Sequence, residues 1–320
     1  MTQVGAVSQG ELARRLHPAL RPFVDARTDL SPNVIGPVRE SLNQRRAEAA
    51  TMLDTGGVDV VDDSVSVGAA RDIGVRIYRA GPAPAPAVIY CHSGAFVLGN
   101  LDIDHRQCVE LARRAQCTVV SVDYRLAPEH RSPAGFDDVL VVLRWVADNA
   151  GALGVDATRL ATAGNSAGGA LAALLAQRSA HGDAPPLVFQ LLHQPVLDDR
   201  STPSKEEFLT TPGFDGLASS QMWQHHSGGG AVPMDAVPAR ATELHNGPSA
   251  FLSCSELDPL RDEAIHYATS LMRAGVATEL HVIPGTCHGF DSLLPDWELS
   301  QQLFALQGDA LRRALHPAAT

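Results

Sequence analysis

The sequence has few of the features that mark secreted, membrane or metal-binding proteins. Its cysteines are odd in number and include no C-x-x-C pair, which argues against a disulfide framework and against a structural zinc site: Cys91, Cys108, Cys117, Cys254 and Cys287. The first 24 residues lack the apolar run of a signal peptide, and no apolar stretch of about 18 residues occurs. We therefore predict a cytoplasmic protein without integral membrane association and without a bound metal.

Positive charge is also scarce. The chain has 25 Lys and Arg against 36 Asp and Glu, for a formal net charge of −11. A nucleic-acid partner or an anionic membrane surface would require a clustered basic surface, so we expect neither. With 320 residues, of which 45% are hydrophobic and 19% charged, the chain can bury a sizeable core as one large domain or two modest ones.

Short apolar runs alternate with helical-period segments through most of the chain. Two helices are predicted over 10–25 and 38–53, followed by a half-buried strand over 74–79. Further strands are predicted over 87–91, 118–123, 159–163, 187–192, 249–254 and 279–283, and further helices over 105–115, 133–149, 166–179, 260–274 and 296–315. This alternation predicts a mainly parallel sheet covered by helices on both faces, with ligands at the carboxyl ends of the strands.

One long interval interrupts the alternation. Residues 198–247 are rich in Gly, Pro, Ser and Thr and carry one helix candidate, over 217–226. Unstructured loops of this length are uncommon in compact domains, so we interpret the interval as an insertion that forms a cap with the N-terminal helices; a plain surface loop is the alternative. The predicted division is 1–54 (cap contribution), 55–197 (core, first part), 198–247 (cap insertion) and 248–320 (core, second part).

The segment Gly164-Asn-Ser-Ala-Gly168 has the pattern G-x-S-x-G between a predicted strand and a predicted helix. In this context the serine occupies a tight, strained strand-to-helix turn, and the glycines allow strand and helix to approach closely. The helix N-terminus favours the negative charge that develops during acyl transfer. Ser166 is the candidate nucleophile.

A serine hydroxyl needs an adjacent base, and His288 lies in the turn-rich segment Pro284-Gly-Thr-Cys-His-Gly-Phe290 after the last strand. An orienting carboxylate is expected between serine and histidine in chain order, and Asp258 follows the strand over 249–254. Glu256 and Asp262 compete with it, and placement favours Asp258. Activity should fall as acid protonates His288.

The segment Cys91-His-Ser-Gly-Ala-Phe96 follows another strand and has the small residues that a close backbone approach requires. Acyl transfer produces an oxyanion that needs donors already in place. The backbone N–H groups of Gly94, Ala95 and Ala167 are the candidate donors, and His92 is expected to form hydrogen bonds within the loop.

Together these motifs resemble the hormone-sensitive-lipase family of bacterial carboxylesterases. The motifs that carry the resemblance occur in the family's order: His92-Ser-Gly-Ala-Phe96, Asp123-Tyr-Arg-Leu-Ala-Pro-Glu-His130, Gly164-Asn-Ser-Ala-Gly-Gly169, Asp258-Pro-Leu-Arg-Asp262 and His288-Gly-Phe290. The resemblance implies an α/β-hydrolase fold with a helical cap, and hydrolysis of short- to medium-chain carboxylic esters without a cofactor. It also implies that Arg125 and Glu129 brace the oxyanion loop.

Two motifs depart from the family pattern. This chain has Ser93 and Ala95 where the family usually has glycines, and Asn165 where it usually has aspartate. The departures leave the three catalytic candidates untouched and bear on efficiency and substrate preference. A small-molecule receptor that has lost catalysis is an alternative, although such receptors typically lack the base. Amide, carbamate or lactone hydrolysis and acyl transfer are further alternatives.

Substrate contacts are the least defined part of the prediction. The candidates are apolar residues after the oxyanion loop and in the insertion: Phe96, Val97, Leu98, Phe208, Phe214 and Trp223. Each of them suits the core of the cap equally well. The adjacent histidines at 225 and 226 diverge on a helix and do not suggest a metal site. The oligomeric state is left open, a homodimer through the last strand and helix being one arrangement.

Overall fold

One eight-stranded sheet runs through the computed structural model, which describes residues 5–68 and 71–317. The strands are β1 (Asp59–Ser66), β2 (Asp72–Arg79), β3 (Ala85–Cys91), β4 (Thr118–Val122), β5 (Val155–Asn165), β6 (Phe189–His193), β7 (Ser249–Ser255) and β8 (Thr278–Ile283). Their order across the sheet is β1-β2-β4-β3-β5-β6-β7-β8. β2 runs antiparallel to β1 and β4, and the remaining neighbours are parallel. The predicted fold class is confirmed.

Helices cover both faces of this sheet. They are α1 (Gln9–Arg15), α2 (Ile35–Met52), α3 (His105–Ala115), α4 (Ala134–Asp148), α5 (Ala150–Leu153), α6 (Ala167–Ala180), α7 (Pro203–Glu207), α8 (Gly216–Ser227), α9 (Arg261–Arg273), α10 (Phe290–Leu293) and α11 (Glu298–Leu315). Short 3₁₀ helices span Pro18–Phe23, Met234–Ala236 and Pro238–Arg240. Side chains of α4 and α6 pack on one face, and those of α3 and α11 on the other. The strands β3, β4 and β6 are buried along their whole length, as parallel strands covered on both faces should be.

The N-terminal region differs from its prediction. A single helix over 10–25 is wrong: α1 ends at Arg15, and a 3₁₀ helix begins at Pro18. Proline has no N–H group and a fixed φ, so it starts a new helical turn more readily than it continues an old one. The chain changes direction at His17, whose N–H donates to the Gly285 carbonyl at 2.8 Å.

Strand β1 was absent from the prediction. Its sequence is Asp-Val-Val-Asp-Asp-Ser-Val-Ser, and only Val65 is buried. The strand lies at the edge of the sheet and pairs along its full length with β2. Charged side chains are common on edge strands because they discourage pairing with other chains. An edge strand of this kind therefore lacks the apolar alternation that marks a strand in the sequence.

The interval over 198–247 contains α7, α8 and two of the 3₁₀ helices, and it contacts the N-terminal segment in several places. Arg15 forms a salt bridge with Glu207 at 2.6 Å, and the Leu30 carbonyl accepts a hydrogen bond from His225 Nε2 at 2.8 Å. Phe208 packs with apolar side chains of α1 and of the 3₁₀ helix that follows it. Within the described ranges, no helix is long and apolar enough to cross a bilayer.

Candidate active site

Ser166 lies in the turn that joins β5 to α6. Its backbone has φ 56° and ψ −118°, a conformation that costs a non-glycine residue on the order of 1–3 kcal/mol. The packing around it requires glycine: a Cβ atom at Gly164 would lie 2.2 Å from the Gly168 carbonyl oxygen, and one at Gly168 would lie 1.9 Å from the Cys91 carbonyl oxygen. The fold therefore holds the hydroxyl at the carboxyl end of the central strands.

His288 follows β8 and reaches Ser166 from the other side of the cleft. Its Nε2 atom is 2.9 Å from Ser166 Oγ, and its Nδ1 atom is 2.8 Å from Asp258 Oδ2. Asp258 is fully buried, and its other carboxylate oxygen accepts a hydrogen bond from the Leu260 N–H at 2.8 Å. An ionised carboxylate only accepts, so the proton of the neutral imidazole is on Nδ1 and Nε2 can accept from the serine.

The two competing carboxylates lie elsewhere. Glu256 accepts from the Gly285 N–H at 2.8 Å and is 3.5 Å from Arg15. Asp262 is in the first turn of α9 and accepts from the Ser204 N–H at 2.8 Å. The hydrogen-bond partner of His288 Nδ1 is Asp258 rather than either of these carboxylates.

The oxyanion loop begins where β3 ends. Gly94 has φ 131°, and a Cβ atom there would lie 2.1 Å from the Leu98 carbonyl oxygen. Ala95 also has a positive φ, of 54°. Among the described residues, none accepts a hydrogen bond from the N–H groups of Gly94, Ala95 or Ala167. These donors are available to an oxyanion beside Ser166.

Side chains hold this loop in place. Tyr124 donates a hydrogen bond to the His92 carbonyl at 2.7 Å, and the two rings stack with centroids 4.2 Å apart. His92 Nδ1 bonds to the Ser93 carbonyl at 2.7 Å, in agreement with its predicted role within the loop. The N–H and hydroxyl of Ser93 both donate to Asp104, at 2.7 and 2.9 Å. The serine that replaces a family glycine is therefore fixed by a buried carboxylate.

The bracing role expected of Arg125 is wrong as stated. Arg125 forms a salt bridge with Asp138 of α4 at 2.9 Å, and among the described residues its side chain bonds to Asp138 and the Ala134 carbonyl rather than to the oxyanion loop. Glu129 acts indirectly: it pairs at 3.0 Å with Arg39, which donates to the Val97 carbonyl at 2.8 Å. Arg39 comes from α2, outside any recognisable motif.

A cavity of about 200 Å³ opens at Ser166 and His288. Of the predicted substrate contacts, Leu98 and Phe214 line it. The others do not: Phe96 stacks on His226 at 4.0 Å, and the ring of Phe208 contacts the guanidinium groups of Arg15 and Arg261. Trp223 is behind Phe96, with ring centroids 5.9 Å apart, and Val97 is a fully buried core residue.

Much of the cavity wall comes from residues that the sequence analysis missed. They share no motif and come from distant segments: Thr28, Leu42, Arg46, Ile103, Gly213, Ser292 and Leu293. Asn165, the other departure from the family pattern, also lines the cavity, and its buried Oδ1 atom has no hydrogen-bond partner among the residues that the structure describes. His226 does not line this cavity, and its burial beside Phe96 lowers its pKa to about 4.

A strand-to-helix serine within hydrogen-bond reach of a histidine and a buried aspartate is the arrangement of α/β-hydrolase-fold enzymes. Residues 88–292 match the family described as alpha/beta hydrolase fold. This match covers more than half of the chain, and the protein belongs to that family.

Three relatives of this chain carry the name esterase or carboxylesterase. Esterase LipI of Mycobacterium tuberculosis (strain ATCC 25618 / H37Rv) is 41% identical over 239 residues, covering 72% of this chain and 74% of that protein. Carboxylesterase NlhH of the same strain is 40% identical over 257 residues, covering 77% and 79%. The crystal structure of esterase LipW from Mycobacterium marinum superposes with a TM-score of 0.94 at 56% identity, covering 95% of this chain and 98% of that one.

Proposed function

We propose that this protein is a serine carboxylesterase that hydrolyses short- to medium-chain carboxylic esters through an acyl-enzyme on Ser166. The observation that carries the proposal is the continuous hydrogen-bond chain from Ser166 Oγ through His288 to Asp258, with contacts of 2.9 and 2.8 Å. The names and identities of the mycobacterial relatives support the same reaction class.

The reaction proceeds in two halves. His288 Nε2 takes the proton of Ser166 as Oγ attacks the ester carbonyl, and the N–H groups of Gly94, Ala95 and Ala167 bind the oxyanion. The tetrahedral intermediate collapses, the bond to the alkoxy oxygen breaks, and that oxygen leaves with the proton from His288. Water then gives a proton to His288, attacks the acyl carbon and releases the carboxylic acid, while the proton returns to Ser166.

The size of the cavity limits the groups bound there. A dry cavity of about 150 Å³ accepts benzene, and the cavity at Ser166 has about 200 Å³. Leu42, Leu98 and Phe214 give part of its wall an apolar character. Acyl or alkyl groups of a few carbons should therefore bind better than long chains.

We further propose that residues 198–247 and the N-terminal helices act as a cap over this cavity. The Gly213 N–H donates to the Ala26 carbonyl at 3.2 Å, and Thr28 Oγ1 donates to the Gly213 carbonyl. Gly213 lies against the catalytic loop so closely that a Cβ atom would be 2.8 Å from the His288 carbonyl oxygen. Deleting residues 5–30 should therefore raise KM as well as lower stability.

We also propose that the protein acts in the cytoplasm and uses neither a nucleic-acid partner nor a cofactor. A homodimer would form through the last strand and helix, β8 and α11; β8 is the edge strand at one side of the sheet, and its Val282 is 40% exposed. Light scattering of the purified protein distinguishes a monomer from such a homodimer.

Hydrolysis of p-nitrophenyl esters of rising acyl length tests the function. Wild type should show turnover that is highest for short chains, and Ser166→Ala should lower kcat by up to about 10⁶-fold. Ser270→Ala is the matched control, because the hydroxyl of this half-buried serine of α9 donates to the His266 carbonyl of its own helix. Equal, negligible rates for wild type and Ser166→Ala would contradict the proposal and favour a binding protein.

A further inference from the structure

Two buried side chains at the end of β6 reach toward the loop that holds His288. His193 is the last residue of the strand and Gln194 follows it, with 1% and 0% of their surfaces exposed. β6 lies between β5, which leads to Ser166, and β7, which leads to Asp258. The pair therefore lies between the elements that carry the proposed catalytic groups, although neither residue takes part in the reaction described above.

The Gln194 carboxamide holds the His288 loop at two points. Its Oε1 atom accepts from the Gly289 N–H at 2.6 Å. Its Nε2 group donates to Ser255 Oγ at 3.0 Å, and that hydroxyl donates to the Cys287 carbonyl at 2.9 Å. Because Cys287 and Gly289 are the neighbours of His288, one side chain fixes both peptide groups that flank the His288 Cα atom.

His193 connects the turn that carries Ser166 to Asp291, which follows His288 in the chain. Its carbonyl accepts from the Ser166 N–H at 2.9 Å, and its Nε2 atom is 3.2 Å from Asp291 Oδ1. Burial acts to raise the pKa of Asp291, but His193, a backbone hydrogen bond and His288 together outweigh burial, and the pKa lies below its ordinary value. An ionised Asp291, three residues beyond His288, thus bonds to the residue that positions the serine backbone.

The backbone conformation of Gln194 independently indicates a functional role for this residue. Its φ is 44°, in the left-handed region where a non-glycine residue is strained and glycine is not. The Gln194 N–H donates to the Ser253 carbonyl at 2.6 Å, which fixes this conformation. A strained, fully buried amide that reaches a catalytic loop is a reason to look for a functional role.

We propose that Gln194, supported by His193, is a positioning residue that holds His288 within hydrogen-bond reach of Ser166. This inference rests on the proposed esterase function. A displacement of about 1 Å can lower a catalytic rate on the order of 100-fold, so loss of the amide should lower kcat. Neither residue lines the cavity at Ser166, so KM should change little.

Gln194→Met tests this role, because methionine keeps the length of the side chain and removes both hydrogen bonds. Gln190→Met is the matched control: Gln190 lies in β6, the strand that Gln194 follows, is 1% exposed, and donates to the Pro248 carbonyl at 3.2 Å, away from His288. Gln190→Met should lose less Tm, because it removes one hydrogen bond where Gln194→Met removes two. With p-nitrophenyl butyrate, Gln194→Met should lose about 10- to 100-fold in kcat at a KM within about twofold of wild type, whereas Gln190→Met should keep its kcat. Equal kcat values for the two variants overturn the proposal.

If Gln194→Met does not fold, a second pair of variants tests the positioning role. Ser255→Ala removes only the relay to the Cys287 carbonyl, and Ser249→Ala removes a hydroxyl at the opposite end of β7 that donates to the Val188 carbonyl at 3.2 Å. Only Ser255→Ala should lower kcat, and equal kcat values again overturn the proposal. Wild-type protein without ester turnover contradicts the esterase function itself, whereas active wild type with equally active paired variants contradicts the positioning role alone.

Discussion

Replacing Asp258 with asparagine should inactivate the enzyme without unfolding it. Each carboxylate oxygen of Asp258 accepts one N–H group at 2.8 Å, from Leu260 and from His288 Nδ1. Asparagine has the same shape but only one acceptor oxygen, and its amide group donates. It cannot satisfy both N–H groups at a site that is fully buried.

The backbone N–H of Leu260 cannot move its proton, but the imidazole of His288 can. If the asparagine oxygen faced His288, two donors would face each other at Leu260, at a cost of about 1–3 kcal/mol. The amide oxygen therefore stays with Leu260, the NH₂ group faces Nδ1, and the imidazole proton moves to Nε2. In that tautomer Nε2 cannot accept the proton of Ser166. A change from carboxylate to amide in such a triad lowers kcat about 10⁴-fold, which corresponds to about 5.4 kcal/mol of barrier.

The assay is kcat for p-nitrophenyl butyrate beside Tm for wild type, Asp258→Asn and Asp262→Asn. Asp262 is only four residues away and bonds to Ser204 and Arg261, so its amide variant controls for a generic charge change in this loop. We expect both variants to stay folded and only Asp258→Asn to lose activity. A kcat within tenfold of wild type for Asp258→Asn would refute the tautomer reasoning.

Two further predictions concern stability. Burial raises the pKa of the Glu263 carboxyl to about 7, although Lys205 lies 2.6 Å away. This pKa exceeds the ordinary value of 4.5. The carboxyl therefore contributes its full stabilisation below about pH 4.5, and this contribution is lost as the pH rises toward 7. Glu263→Gln should therefore flatten the dependence of Tm on pH in this range, and an unchanged slope in a thermal-shift series would contradict the assignment. Gly168→Ala should lose both fold and activity because its Cβ atom would overlap the Cys91 carbonyl, whereas Gly151→Ala, with nothing within 4 Å, should leave Tm and kcat unchanged; a stable, active Gly168→Ala protein would disprove the packing constraint.

The parallel part of the sheet could be predicted because its strands are buried apolar runs between amphipathic helices. The prediction failed where tertiary context decides the conformation. β1 is a strand because β2 pairs with it from Asp59 to Ser66, and its aspartates give no apolar alternation. The break between α1 and the 3₁₀ helix at Pro18 is stabilised by a partner nearly 270 residues away, Gly285.

The candidate site divides in the same way. Ser166, Asp258 and His288 could be singled out because their chemistry requires particular residue types in loops at strand ends, and the structure brings the three within hydrogen-bond distance. Arg39 and Gln194 have no such signature. Each acts through a backbone group of another segment, and only the folded chain shows which segment that is.

The reacting groups and part of the cavity wall come from different segments of the chain, which affects what substitutions do to the enzyme. The reacting groups are attached to the ends of β5, β7 and β8, whereas Thr28, Leu42 and Arg46, from the first 50 residues, supply part of the wall. Substitutions in the N-terminal segment can therefore reshape the pocket while the strand ends stay rigid. Selectivity and turnover are then separately adjustable, so a library confined to these wall positions should yield altered acyl preference with little loss of kcat on the best substrate.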